Sequence, residues 1–300
     1  MADLEDRIPD PMAEEAELDE GPSPLRTFLG LFVVPLLVVL ACVGVFIGFG
    51  WVAYERNTVA DYVGDLSHWS RPRRAQASYE LAKILIADPG ALDDAPEVRA
   101  RVREVFTEAD NPEIRRYLTL VLGYTRDREA VAALLTQLRE GESEERIYAL
   151  WALGAIGDPA ALSALLGALD SDDPGLRKTA AYALGELGLP ESAPRLRVAL
   201  EDPVADVRWN AALALARLGS DAGVPVLREM ADRTSSDQVP GITPEQQEDA
   251  MIEAVRALAA VGGEESLPLL DRLAREDPSL KVRQAAIEAS RAVRGPAERG

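Results

Sequence analysis

The apolar and polar positions of the chain repeat at a fixed spacing. Arg115, Arg146, Arg177 and Arg208 are each 31 residues apart. Seven residues after each arginine stands a leucine, and eight residues after it stands a glycine or an alanine. The leucines are Leu122, Leu153, Leu184 and Leu215, and the small residues are Gly123, Gly154, Gly185 and Ala216. A fixed period of this length is typical of a repeat protein in which each unit packs on its neighbours.

Each unit predicts two helices joined by a turn. Apolar residues at helical spacing follow each arginine and predict a first helix, with the leucine column on its buried stripe. A second column, formed by Leu134, Leu165, Leu196 and Leu227, predicts the second helix. The pairs Asp158-Pro159, Asp173-Pro174 and Asp202-Pro203 predict turns. The spacing continues in degenerate form on both sides, which indicates about six stacked units sharing one core.

These repeats resemble HEAT repeats, specifically the HEAT-like repeats of phycobilisome lyases. The segments that carry the resemblance are LRKTAAYALGELG (176–188) and VRWNAALALARLG (207–219), together with the second helices in 161–174 and 193–203. The resemblance implies an all-α fold, a right-handed α-solenoid in which the arginine-led helices line the concave face. It covers about three quarters of the chain and gives little information on function.

A different pattern precedes the repeats, because residues 27–54 contain no charged side chain. At ~1.5 Å per residue, the apolar run 28–52 is long enough to cross the ~30 Å hydrocarbon layer of a bilayer. We therefore predict one uncleaved transmembrane helix over 27–54, with 28–52 in the lipid bilayer. Gly44 and Gly48 are small residues four apart. Such a pair allows two membrane helices to form a homodimer, and it is also common in spans that do not pair.

The rest of the chain divides by composition. Residues 1–26 hold nine acidic and two basic residues, which predicts a disordered acidic tail. Residues 55–71 form a juxtamembrane linker, and 72–295 form the solenoid, with an insert loop at 234–247 that interrupts the period. More arginines follow the apolar run than precede it, which favours a cytoplasmic solenoid. The style of the repeats suggests a single-pass protein of the bacterial inner membrane.

Composition also limits the chemistry. The formal net charge of -19 argues against a nucleic-acid partner, since phosphate binding needs clustered lysine and arginine. Cys42 and His68 are the single cysteine and histidine, so a Cys/His zinc site cannot be built. We predict no catalytic residue, no metal site and no cofactor, and therefore a protein that is not an enzyme.

The side of the first helices opposite the buried stripe carries apolar and aromatic residues, although a solvated face is normally polar. These side chains stand one, two and five residues after each arginine. Aromatic residues beside arginine are favoured at the centres of protein interfaces. The predicted partner-binding residues are Arg116, Tyr117, Leu120, Ile147, Tyr148, Trp151, Lys178, Tyr182, Trp209, Asn210 and Leu213. The alternative is that they pack sideways on neighbouring repeats and stay covered.

The arginine column itself is interpreted as structural. Each arginine can bind a carboxylate or a carbonyl of the adjacent turn, and Glu113, Glu144 and Asp206 stand two residues before an arginine.

The sequence therefore predicts a membrane-anchored scaffold or accessory subunit that binds another protein, within a membrane-associated complex. The alternative is an enzyme or chromophore-handling protein, which the resemblance to bilin lyases implies.

Overall fold

A computed structural model describes residues 33–53, 58–236 and 241–295. The chain divides into two units, Met1–Asn57 and Thr58–Gly300. The first unit contains helix α1, Val34–Ala53. Counted over the described residues, no helix is both long and apolar enough to cross a membrane. The predicted transmembrane helix is not confirmed and stays a prediction, as does pairing through Gly44 and Gly48.

Other predictions for the N-terminal region fall partly outside the described residues. The acidic tail of 1–26 lies wholly outside them. The predicted linker of 55–71 contains a short helix, α2, Val59–Asp65. Thr58 begins this helix with a capping box. The Thr58 hydroxyl accepts from the N–H of Asp61, and the Asp61 carboxylate accepts from the N–H of Thr58. Such a box satisfies N–H groups that a helix start leaves free, so this part of the linker is helical.

Pairs of helices follow in the second unit. The first helices are α3 (Arg71–Ala87), α5 (Pro112–Tyr124), α7 (Ser143–Ile156), α9 (Pro174–Leu187), α11 (Ala205–Arg217), α14 (Pro244–Val261) and α16 (Leu280–Arg294). The second helices are α4 (Pro96–Glu108), α6 (Val131–Glu140), α8 (Leu162–Ala168), α10 (Ala193–Ala199), α12 (Val224–Ala231) and α15 (Leu267–Glu276), and α13 (Arg233–Ser236) is a short addition. Consecutive first helices pack on one another, and each second helix packs on the first helix that follows it. The described part of this unit is thus an all-α solenoid.

The boundaries of the helices follow from caps and glycines. The Asp173 carboxylate accepts from the N–H of Gly175 at 2.8 Å, and Pro174 occupies the first position of α9. Proline is tolerated there because the first N–H groups of a helix have no partner within it. Helices α7 and α9 end at Gly157 and Gly188, whose φ angles of 72° and 70° lie in the left-handed region that glycine adopts without strain.

The two leucine columns form the core of the solenoid. Every member has an exposed fraction of 0%: Leu122, Leu153, Leu184 and Leu215 on the first helices, and Leu134, Leu165, Leu196 and Leu227 on the second. The predicted buried stripe is confirmed. A helix places residues three, four and seven apart on one side, so the same side of every repeat faces the layer between the helices.

The glycine column brings consecutive first helices into backbone contact. A Cβ atom added at Gly154 would lie 2.7 Å from the Cα of Ala183, and one added at Gly185 would lie 2.9 Å from the Cα of Ala214. A Cβ atom does not approach another non-bonded carbon atom this closely, so a larger residue would push the helices apart.

The insert changes this packing. Helix α14 contacts the second helix α12 more extensively than the first helix α11. It begins at Pro244, inside the predicted insert loop of 234–247. The reason is a capping box in which Thr243 accepts from the N–H of Gln246 and the Gln246 side chain accepts from the N–H of Thr243. Residues 237–240 of the insert lie outside the described residues.

Replacing Gly185 with alanine should lower the free energy of unfolding by about 1–3 kcal/mol, because the new Cβ overpacks against the backbone of α11. The matched control is Gly167→Ala in α8, where an added Cβ has no atom within 4 Å. There the better helix propensity of alanine should raise the free energy of unfolding by about 0.5–1 kcal/mol. Chemical denaturation measures both values. Equal effects would show that the first helices are not in contact at Gly185.

Candidate functional site

A groove of about 840 Å³ lies along the first helices, on the side that the sequence predicts to bind a partner. It is lined by Leu120, Tyr124, Ile147, Tyr148, Trp151, Lys178, Thr179, Tyr182, Asp206, Trp209, Asn210, Leu213, Met230, Gly241, Ile242, Gln246 and Ala250. All the predicted partner-binding residues except Arg116 and Tyr117 are among them. The structure brings these residues together, and their binding of a partner stays a prediction.

Trp209 is a core residue rather than an exposed member of the predicted surface. Its exposed fraction is 5%, and it belongs to an apolar cluster with Leu227, Met230 and Met251. Met251 is part of α14, whose position after the insert cannot be read from the 31-residue period. Trp209 therefore packs in the core and also forms part of the wall of the groove.

Trp151 is half-buried and covers the glycine of the preceding repeat. A Cβ atom added at Gly123 would lie 2.4 Å from the six-membered ring of this tryptophan. The Tyr124 ring lies beside it, with centroids 4.9 Å apart and planes tilted by 59°. The glycine column thus makes room for an aromatic side chain here, so that Trp151 contributes to packing while one part of it faces the groove.

Tyr148 and Tyr182 line the groove without packing against either apolar cluster. Burial raises the pKa of the Tyr182 phenol, and the nearby Glu186 carboxylate acts in the same direction. The guanidinium group of Arg217 lies 5.5 Å from the centre of the Tyr182 ring, in cation–π geometry. The hydroxyl groups of both side chains can donate hydrogen bonds to a ligand.

Ion pairs between consecutive repeats hold the edge of the first-helix face. Lys178 Nζ lies 3.1 Å from Asp206 Oδ2, and Arg116 Nη1 lies 2.9 Å from Glu144 Oε1. Glu144 and Asp206 therefore bind basic side chains of the preceding repeat, and the interpretation that these two residues bind the arginine of their own turn is wrong. Residues two apart in a helix point to opposite sides, so Glu144 and Asp206 face away from the arginine of their own turn and towards the preceding helix.

The arginine column is structural, as predicted, and its partners include carbonyl groups of the adjacent turn. Arg177 donates to both carboxylate oxygens of Asp202, at 2.7 and 3.1 Å, and to the carbonyl of Ser171 at 2.9 Å. Arg208 donates to the carbonyl of Asp202 at 3.0 Å. Burial alone would raise the pKa of Asp202, but the hydrogen bonds from Arg177 and from the N–H of Val204 together hold it below its ordinary value.

Arg116 and Tyr117 lie outside the groove. The guanidinium group of Arg116 is 5.0 Å from the centre of the Tyr117 ring, and that ring meets the edge of Tyr79 on α3 with centroids 5.4 Å apart. These two predicted residues therefore belong to a contact between the first repeats. The structure does not bring them together with the groove.

Several groove residues were missed by the sequence argument. Tyr124 stands nine residues after a column arginine, and Asp206 stands two before one, at offsets that the predicted surface did not include. Ile242, Gln246 and Ala250 come from the insert and from the start of α14. The insert itself could have indicated these residues, because insertions in repeat proteins often lie on a binding face.

One polar atom of the groove has no partner. The indole Nε1 of Trp209 is buried and finds no hydrogen-bond acceptor among the described residues. A buried donor without an acceptor costs about 1–3 kcal/mol. Within the described residues, no group of three or more His, Cys, Asp or Glu side chains could hold a metal ion.

Comparison with known proteins identifies the repeats. Residues 99–182 and 167–241 match the sequence model of HEAT repeats. No curated protein matches the chain. Among solved structures, the chain is similar to one in the complex of CpcE and CpcF of phycocyanin lyase from Nostoc sp. PCC7120. The TM-score is 0.53 and the identity is 20%, over 78% of this chain and 93% of that one. This likeness shows a shared solenoid fold.

A second likeness is to a designed armadillo repeat protein in complex with the peptide (KR)4. The TM-score is 0.46 and the identity is 17%, over 78% of this chain and 99% of that one.

Trp151→Ala should lower the free energy of unfolding by about 1–3 kcal/mol, less than for a fully buried tryptophan, since its ring is only partly covered. The matched control is Trp69→Ala, because Trp69 is 88% exposed and should be replaceable with little effect. Thermal or chemical unfolding monitored by circular dichroism measures both. If both variants have the same free energy of unfolding as the parent protein, Trp151 does not pack on Gly123.

Proposed function

We propose that the solenoid is a non-catalytic protein-binding module that holds a segment of a partner protein in the groove. The observation that supports this most strongly is the groove itself, an aromatic and apolar recess where a solvated helix face would be polar. Its volume falls within the ~300–1,000 Å³ range of clefts that bind ligands. Tyr148 and Tyr182 remain free of the core and can contact the partner.

The chemistry of the groove favours a segment with an apolar side chain and an available backbone carbonyl. Ile147, Trp151 and Leu213 offer apolar surface, and the buried Nε1 of Trp209 offers a donor without an acceptor. Lys178 and Asp206 neutralise each other at the rim, so the groove does not select strongly for either charge. The partner segment is accordingly an uncharged, apolar one.

Tyr148→Ala should weaken binding of the partner at least ~10-fold, the loss expected for a tyrosine at the centre of an interface. The unfolding midpoint should stay within error, because Tyr148 does not pack on the core clusters. A photo-crosslinking residue at position 148 captures the partner, which is then purified and titrated against the full chain. The matched control is position 198 on α10, where Val198 is 68% exposed and does not line the groove. Crosslinking at 198 alone, or full affinity after Tyr148→Ala, would contradict the proposal.

The proposal includes a membrane anchor at residues 27–54 and a cytoplasmic solenoid at the bacterial inner membrane. Two observations support the anchor. The segment carries no charge, and the described side chains of α1 expose large apolar groups, with Val45 at 69% and Phe46 at 82% exposure. Apolar surface of this extent on a helix needs a cover, and the bilayer is the cover that a long uncharged segment fits.

Alkaline carbonate extraction tests the anchor. The full chain should remain in the membrane pellet, because a span held by the hydrophobic effect resists high pH whereas peripheral contacts do not. A variant with Leu37→Arg and Val43→Arg should move to the supernatant, since each charge at the centre of a span costs about 2.5–3.5 kcal/mol. Release of the unmodified chain by carbonate would contradict the anchor and leave the groove proposal untouched.

A further inference from the structure

A second cavity, of about 310 Å³, lies where α4 begins and the turn after α5 ends. Four arginines line it, Arg99, Arg103, Arg126 and Arg128, together with the carboxylates of Asp127 and Glu129. None of these residues lines the groove. Four positive charges in so small a space need negative charges to balance them. The carboxylates of Asp127 and Glu129 are the first groups that could do so.

Arg103 engages both carboxylates. It binds Asp127 through Nη1, and its Nη2 lies 2.8 Å from Glu129 Oε2. Asp127 also accepts the N–H of Glu129 at 3.1 Å, which anchors the turn, and its exposed fraction is only 7%. The acidic groups of the cavity are therefore held by one arginine and by the backbone.

The other three arginines have no such partner. Among the described residues, no carboxylate forms an ion pair with Arg99, Arg126 or Arg128. With Arg103 balanced against the acidic pair, these three guanidinium groups leave the cavity positive. Arg126 and Arg128 are exposed, so a ligand can reach them.

The backbone conformation at Arg126 indicates that the turn does not require an arginine side chain. Its φ of 49° is left-handed, and among the described residues other than glycine it alone has a positive φ. At the same point of the next three repeats stand Gly157, Gly188 and Gly219. A residue with a Cβ is strained in this conformation, and the repeat pattern itself supplies the unstrained alternative.

The hydrogen bond of the turn is the same at Arg126 and at Gly219, whereas the N–H groups of Gly157 and Gly188 donate to the carbonyls of Leu153 and Leu184. The N–H of Arg126 donates to the carbonyl of Gly123 at 3.1 Å, as the N–H of Gly219 donates to that of Ala216 at 2.9 Å. Glycine would therefore serve the fold better at this position. Strained backbone that the fold does not require is typical of functional sites.

We propose that Arg99, Arg126 and Arg128 form a binding site for a phosphate group. Guanidinium groups present pairs of N–H donors that match the oxygens of phosphate, and their charge does not titrate at physiological pH. Three of them around one small cavity can surround a single phosphate. The group can be that of a phospholipid headgroup or of a free phosphate, and the chemistry of recognition is the same.

The decisive variant is Arg126→Gly, which places in this repeat the residue that the next three repeats carry. Isothermal titration of the full chain in zwitterionic micelles with inorganic phosphate, at constant ionic strength, should show an affinity about 10-fold or more lower than for the parent protein. The unfolding midpoint should be equal or higher, because the strain is removed. Arg197→Gln is the matched control, since Arg197 is an exposed arginine outside the cavity and should leave phosphate binding unchanged.

Phosphatidic acid added to the micelles separates the two sources. If the site takes a lipid headgroup, phosphatidic acid competes with inorganic phosphate in the parent protein and not in Arg126→Gly. If it takes a free phosphate, inorganic phosphate binds and the lipid does not compete. Absence of phosphate binding by the parent protein, or equal binding by Arg126→Gly, would overturn the proposal.

Discussion

Backbone contact between consecutive first helices is the constraint on which the solenoid depends. Glycine in one helix meets alanine in the next, as Gly154 meets Ala183 and Gly185 meets Ala214. This contact leaves no room for side chains between the helix backbones, so larger residues are confined to the leucine core on one side and to the groove on the other. The aromatic groove is the result of this confinement. Where Ala216 replaces glycine and the insert follows, the packing changes and residues 241–250 join the groove.

The periodic part of the structure could be predicted from the sequence, because burial there depends on position within one repeat. The leucine columns, the turns at aspartate and proline, and most residues of the groove follow from the spacing alone. Contacts between repeats were not predictable in the same way. The spacing places Asp206 beside the arginine of its own turn, yet Asp206 binds Lys178 of the preceding repeat. The sequence of one repeat does not give the distance to the neighbouring helix.

The remaining errors arise where the period is broken. Trp209 occupies a surface position in the repeat pattern, but α14 returns after the insert and Met251 packs in the same apolar cluster. Both candidate sites include departures from the period, residues 241–250 in the groove and Arg126, which replaces glycine, in the arginine cavity. In a repeat protein such departures are informative, because residues that break the pattern without serving the fold point to function. The likeness to a lyase chain does not carry an activity at 20% identity.

The indole resonances of the tryptophans test most directly whether the groove is the partner-binding surface. The full chain, labelled with ¹⁵N and held in micelles, is titrated with the partner captured through position 148, and the N–H signals of the side chains are followed by NMR. If the groove binds the partner, the indole signals of Trp209 and Trp151 shift strongly, while the signal of Trp69 stays in place. A partner that binds and shifts only Trp69, or moves none of these signals, would contradict it.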